Sequence, residues 1–200
     1  MLLRIGIDEV GRGPLAGPVL AAAVHLPEPI PGLGDSKQLA KDRREALALV
    51  IRGRAVWALG AASVREIDRL NILVASHLAM RRAMRRLARQ LPGAAFEILV
   101  DGRFDPELGF PCRCIVGGDG LEPEIGAASI LAKVVRDRLL VRLGARHPGY
   151  GFERHAGYPT RAHRAALEAM GACVHHRRSF APVRLALNNR ASPSRTRPAP

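Results

Sequence analysis

Two hundred residues, 48% hydrophobic and 24% charged, are the composition of one ordinary globular domain, long enough to bury a core without staples. No stretch approaches the roughly 18 to 20 apolar residues of a membrane span, and MLLRIGIDEVGRG lacks the apolar centre and cleavage site of a signal peptide, so the expected location is the cytoplasm. Three cysteines, Cys112, Cys114 and Cys173, supply neither an even-numbered disulfide set nor a C-x-x-C zinc pair. The net charge of +13 favours a polyanionic partner such as nucleic acid. Because 28 of the 31 basic residues are arginine, it also reflects a general bias toward that residue. Against that bias the three lysines stand out: Lys37 in GDSKQL, Lys41 just beyond it, and Lys133 in ASILAKVVRD. A compact ammonium and a planar guanidinium are not interchangeable.

In chain order, residues 3–9 read as a strand ending in the glycine-rich turn GRGPLAGP, and 19–26 as a second strand. The loop PEPIPGLGDS closes on Asp35 or Ser36 as helix N-cap candidates. Helical spacing over 41–53 and a strand over 55–64 complete an antiparallel meander of three strands. Leu73, Met80, Met84, Leu87 and Leu91 predict one long helix over about 65–91, with Arg81, Arg82, Arg85, Arg86 and Arg89 on its other side, either a solvated face or a nucleic-acid stripe. Strands over 96–102 and 112–119 follow, the second placing Cys112 and Cys114 on one face as small buried hydrophobes. A helix over 128–144, an irregular loop over 150–163 and a helix over about 160–170 come next. Residues 1–184 form the single folded domain, and 185–200 read as a disordered basic tail.

Four acids stand where apolar runs end: Asp8 and Glu9 after the first strand, Asp101 after the fourth, and Asp119 after the fifth. Strand ends of one sheet lie side by side, so these carboxylates would repel and raise one another's pKa. A divalent cation with a preference for hard oxygen donors, Mg²⁺ or Mn²⁺, removes that cost. Neighbours on a regular strand point to opposite faces, so for Asp8 and Glu9 to share an ion the strand must bend, as Gly11 and Gly13 would permit. After the strand, three glycines and two prolines in GRGPLAGPV make a rigid loop able to offer N–H groups to a phosphate or sugar hydroxyl. It is not a dinucleotide fingerprint, since a strand follows where a helix is required. The adjacent His175 and His176 lack the spacing of a shared zinc site and suit surface or structural roles, and no Ser-His-Asp arrangement is visible.

The segments GIDEVGRGPLAGPV, DSKQL, EIDRLNIL, VDG, GGD, IGAASILAKVVRDR, YGFERHAGYPTRAH and HRRSFAPV, in this order and spacing, resemble the bacterial ribonuclease HII family over nearly all of residues 4–184. The resemblance implies an α/β ribonuclease H-like fold: a mixed five-stranded sheet flanked by helices, with a helical C-terminal part from about 145. It implies an Asp-Glu-Asp-Asp metal site on Asp8, Glu9, Asp101 and Asp119, with Mn²⁺ or Mg²⁺ as cofactor. Asp137, inside a helix between Arg136 and Arg138, is a rival for the last place and is expected to form an intrahelical ion pair instead. By resemblance, Gly11, Arg12 and Gly13 read a ribonucleotide through its 2′-hydroxyl, the group that separates RNA from DNA, and Tyr158 in HAGYPT lies against the sugar on the DNA side. Lys37 and Lys133 are phosphate-contact or site-ordering candidates, with Ser36 a possible helper or a helix cap. The implied partners are RNA–DNA hybrids and DNA duplexes containing ribonucleotides, bound by a monomer with no membrane association. A junction resolvase-like nuclease would share the metals without the GRG loop or HAGYPT, and a non-catalytic hybrid-binding protein would need a damaged acid set. Fold alone does not choose among these.

Overall fold

A computed structural model of the chain describes residues 2–34, 36 and 38–191. Five strands form one mixed sheet in the order β3-β2-β1-β4-β5. They are β1 (Leu2–Val10), β2 (Val19–His25), β3 (Val56–Ala62), β4 (Ala95–Asp101) and β5 (Cys112–Ile115). The first three pair antiparallel, as the short spacing of the meander predicts, while β4 and β5 join parallel. This makes β1 the central strand and brings the C-terminal ends of β1 and β4 together at one end of the sheet.

The sheet is sandwiched. Ile5, Ile7, Ala21, Ala23, Ile98 and Val100 face a core completed by α3 (Ile72–Ala88). Ala22 and Val24 face the other core, built from α1 (Lys41–Arg54) and α4 (Pro123–Arg146). Both main helices lie directly on backbone. A Cβ at Gly6 would collide with Glu124 and Ile125 of α4, and one at Gly60 with Ala79 of α3. These two glycines set the helix-to-sheet distance.

Several expectations need correction. The helix predicted over 65–91 is two, α2 (Val64–Leu70) and α3, broken at Asn71, whose φ of 69° no helix can contain. Its side-chain oxygen instead accepts the N–H groups of Leu73 and Val74, starting α3. The strand expected to reach residue 119 stops at Ile115, and a 3₁₀ turn over Gly118–Gly120 carries Asp119. Helix α1 begins at Lys41 without a side-chain cap, so Ser36 is no N-cap; Asp35 and Lys37 lie outside the described residues. The loop over 150–163 contains a short helix, α5 (Phe152–His155), ahead of α6 (Arg161–Met170). The helix α7 (Ala181–Ala191) occupies the start of the stretch expected to be a tail, whose remaining residues lie outside the described ones. The arginine stripe of α3 serves the fold. Arg81, Arg82 and Arg86 donate to the carbonyls of Pro106, Ala61 and Leu59, and Arg82 pairs with Glu66 at 2.7 Å. Cys112 and Cys114 are half-buried rather than buried, and burial raises both thiols, Cys112 to about 12.

Candidate active site

Strand β1 does not bend at its acids: Asp8 and Glu9 stay in register with Ala22 and Ala21 of β2. The two residues therefore leave the strand toward opposite faces, yet both line the cleft at its end, and the Glu9 charge acts on Asp8. Glu9 follows Ile5 and Ile7 onto the α3 side, where Ser76 and His77 line its surroundings. Asp8 follows Gly6 onto the α4 side, where Ser36, Ser129 and Lys133 line a cleft. Asp101 follows directly on the Ile7–Val100 pair of the parallel ladder, lines the surroundings of Glu9, and lies close enough for its charge to act on Asp8 and Glu9 alike. Asp101 accepts the Gly118 N–H at 2.8 Å and so anchors the 3₁₀ turn that carries Asp119, itself only 7% exposed.

The electrostatics follow from this crowding. Asp8 is 4% exposed, and its carboxyl is raised well above the usual range, first by burial and then by the charges of Glu9 and Asp101. A Ser129 hydroxyl and the Glu9 N–H, which donates to Asp8 Oδ1 at 2.6 Å, oppose the rise without cancelling it. Glu9 is raised by burial and by Asp101, opposed by Arg12, whose guanidinium stands 3.5 Å away. Among the described residues, no three acidic, histidine or cysteine side chains converge into a ready-made metal cage. The donor set nevertheless fits a divalent cation. It is all oxygen, and the like charges that raise Asp8 and Glu9 are what a cation would offset.

Across the cleft stand the two loops that the sequence singles out. Gly11 has a φ of 96° and the Arg136 guanidinium where a Cβ would be, so only glycine fits there. A Cβ on Gly13 would lie 3.6 Å from Tyr158 Cε1, so the GRG loop and the Tyr158 ring meet. Tyr158 is 41% exposed and shares the cleft with Asp8, Glu9 and Lys133. Lys133 is the partner of Asp137, at 2.9 Å. Asp137 does form an intrahelical pair, but with this lysine and not with its neighbouring arginines. Ser36 is buried and its hydroxyl lies 2.7 Å from that of Ser129.

The frame behind the loops went unseen in the sequence. Arg136 and Arg177 are both 0% exposed and spend their donors on backbone carbonyls. Arg136 takes Ala16, Pro18 and Ala156, and Arg177 takes Gly11, Arg12 and Gly17. Burial lowers them to about 10 and about 9, which leaves both charged at neutral pH. Two buried histidines hold the Tyr158 loop in an order that fixes their tautomers. The Cys173 N–H donates to His176 Nδ1, His176 Nε2 donates to His163 Nε2, and His163 Nδ1 donates to the Tyr158 carbonyl. The chain needs both rings neutral, and burial lowers both, His176 to about 4. The expected structural role of His176 is met in the interior. No local pattern separates Arg136 or Arg177 from the chain's many other arginines; only their places in AKVVRDR and HRRSF could have drawn attention.

Comparison with known proteins agrees with this architecture. The family model for ribonuclease HII matches residues 5–183. A ribonuclease HII of Halorhodospira halophila is 58% identical over 182 residues, covering 90% of this chain and 92% of that protein. The structure of ribonuclease HII from Archaeoglobus fulgidus, solved in a complex with PCNA, superposes with a TM-score of 0.70 at 26% identity, covering 88% of this chain and 93% of that one. A Bst ribonuclease HIII solved with Mn²⁺ shares the fold, with a TM-score of 0.73 at 21% identity, covering 94% of this chain and 70% of that one.

Proposed function

The chain belongs to the ribonuclease HII family, and from that premise we propose that it hydrolyses the RNA strand of RNA–DNA hybrids and cuts on the 5′ side of ribonucleotides embedded in duplex DNA. The products carry 3′-hydroxyl and 5′-phosphate ends, and the biological use is removal of ribonucleotides from DNA. The observation that carries this reading is the meeting of Gly13 and Tyr158 across one cleft from Asp8. A sugar held between that loop and that ring has its phosphodiester within reach of the carboxylates.

Asp8, Glu9, Asp101 and Asp119 would hold divalent cations, Mg²⁺ or Mn²⁺. The chemistry such ions would supply when bound is activation of water and offset of negative charge on the phosphodiester. The chain's own residues do the rest. Asp8, whose ionisation the charges of Glu9 and Asp101 both oppose, would be one of the residues holding the ions. Gly11, Arg12 and Gly13 read the 2′-hydroxyl through backbone groups, which discriminates by hydrogen bonding and not by charge. The Tyr158 ring packs on the deoxyribose beyond the junction. Lys133 orders the cleft beside Asp8 while its charge is shared with Asp137. A cytoplasmic monomer is the proposed working form, and among the described residues no helix is long and apolar enough to cross a membrane.

The test is cleavage of an end-labelled DNA duplex carrying one ribonucleotide, with Mg²⁺ or Mn²⁺, beside an all-DNA duplex and a chelated control. Metal-dependent cutting on the 5′ side of the ribonucleotide alone is expected. Cutting of both duplexes would assign the acids to a nuclease of another class. Binding without cutting would make the chain a hybrid-binding module.

A further inference from the structure

The GRGPLAGP loop closes around two buried cations, Arg136 and Arg177, that make no direct carboxylate contact among the described residues. A buried charge is tolerated only where its donors are accepted. Here five of the six acceptors are carbonyls of the loop itself, the sixth being that of Ala156, so any conformer that turns the loop carbonyls outward strands a guanidinium. The arginines thus select one loop conformation.

That conformation has a direction. A trans peptide is planar, with its C=O and N–H on opposite edges. The Ala16–Gly17 peptide displays this: the Ala16 carbonyl accepts from Arg136 at 3.0 Å, and on the far edge the Gly17 N–H donates to the His175 carbonyl at 2.9 Å. By the same geometry, the Gly11 carbonyl aimed at Arg177 turns the Arg12 N–H away from the interior. The Arg12 carbonyl, 2.8 Å from Arg177 Nη1, turns the Gly13 N–H away likewise. Neither N–H has a hydrogen-bond partner among the described residues. Gly13 lies next to the Tyr158 ring, on the cleft side.

We propose that Arg177 is a positioning residue, which draws the carbonyls of Gly11 and Arg12 inward and so presents the amides of Arg12 and Gly13 as paired donors to the 2′-oxygen of the ribonucleotide. The inference rests on the 2′-hydroxyl reading of this loop given above. Arg177 is itself held from three sides. Its own N–H donates to the Leu15 carbonyl at 2.8 Å, the Asp68 carboxylate accepts the N–H groups of Arg178 and Ser179, and Ala16 bridges to His176. The direction of the recognition amides is therefore fixed by the HRRSF segment and not by the GRG residues alone.

Arg177→Lys tests this, because an ammonium keeps the charge but cannot span three carbonyls as a planar fork. Equilibrium binding of the full chain is measured in chelator, against a duplex with one ribonucleotide and against the same duplex in all-DNA form. The unaltered chain is expected to prefer the ribonucleotide, and the variant to lose about tenfold of that preference with all-DNA affinity unchanged. A variant that keeps the full preference overturns the proposal. So does one that loses affinity for both duplexes equally, since that is a merely structural role. No preference in the unaltered chain would instead overturn the 2′-hydroxyl reading itself. Should Arg177→Lys not fold, Gly13→Pro removes one amide at a position whose φ is not left-handed and leaves Arg177 in place. It is expected to abolish the preference, and retention would again overturn the proposal.

Discussion

At the carboxylate end of the cleft, Asp8 is buried and Glu9 half-buried near Asp101, and both hold protons more tightly than free carboxyls do. Across the cleft, His163 and His176 are buried and hold protons less tightly than free imidazoles. Acid therefore acts on the two regions with opposite signs. Asp8 favours the fold below its ordinary pKa of 3.8, and that contribution is lost as pH rises through its elevated folded value. His176 favours the fold above 6.5, and that contribution is lost as pH falls toward about 4. One region carries charge that a bound cation would offset, and the other is complete without any ligand.

Asp8→Asn breaks the comparison most severely. Cleavage is expected to fall roughly a thousandfold or more, about 4 kcal/mol of barrier, because an oxygen proposed to hold a cation is lost. The apo fold should not weaken. The substitution removes a buried charge whose ionised form opposes folding at neutral pH. Single-turnover cleavage and a thermal melt in chelator read the two arms. A variant that cleaves normally would remove Asp8 from the metal set. One that melts well below the unaltered chain would mean that Asp8 serves the core.

The difference between the regions also explains what the sequence could reveal. The sheet and its meander were legible because strand periodicity and short connections are local properties. The four acids were legible because carboxylates are conspicuous at the ends of apolar runs, and Gly11, Gly13 and Tyr158 because glycine-rich loops with a lone aromatic are conspicuous too. Arg136 and Arg177 were not. Their partners are carbonyls, which every residue carries, up to 166 positions away. The Asn71 break escaped for a related reason: the apolar spacing continues through it, and only a side chain capping its own following turn reveals the boundary. Lys133 was legible as an exception to the arginine bias, but its pairing with Asp137 competes with the phosphate role given to it.

A gentler break uses pH. Between 6.5 and about 4 the unfolded chain takes a proton that folded His176 refuses, so acidification over this range is expected to cost up to about 3 kcal/mol. His163 adds a contribution of the same sign. Urea midpoints at pH 7 and pH 5 measure it, and His176→Gln, whose amide can still donate toward His163, should flatten much of the difference. An unchanged slope in that variant would place the acid sensitivity elsewhere.

Tyr158→Ala gives the smallest effect and the sharpest separation of ring from frame. The Tyr158 backbone is held independently of the ring: its carbonyl accepts from His163, its N–H donates to the His155 carbonyl, and Gly157 accepts from Leu15. Deleting an aromatic that is 41% exposed should therefore cost little stability. What disappears is the surface proposed to pack on the deoxyribose, worth about 1 kcal/mol, so cleavage at a single embedded ribonucleotide should drop by about fivefold to tenfold. Metal binding and cleavage within a long RNA–DNA hybrid should change less, because many registers there present a ribose to the GRG loop without needing the ring. Equal losses on both substrates would show that the ring supports the loop after all. That result would merge the two regions into one structural unit, against the independence that their hydrogen bonding implies.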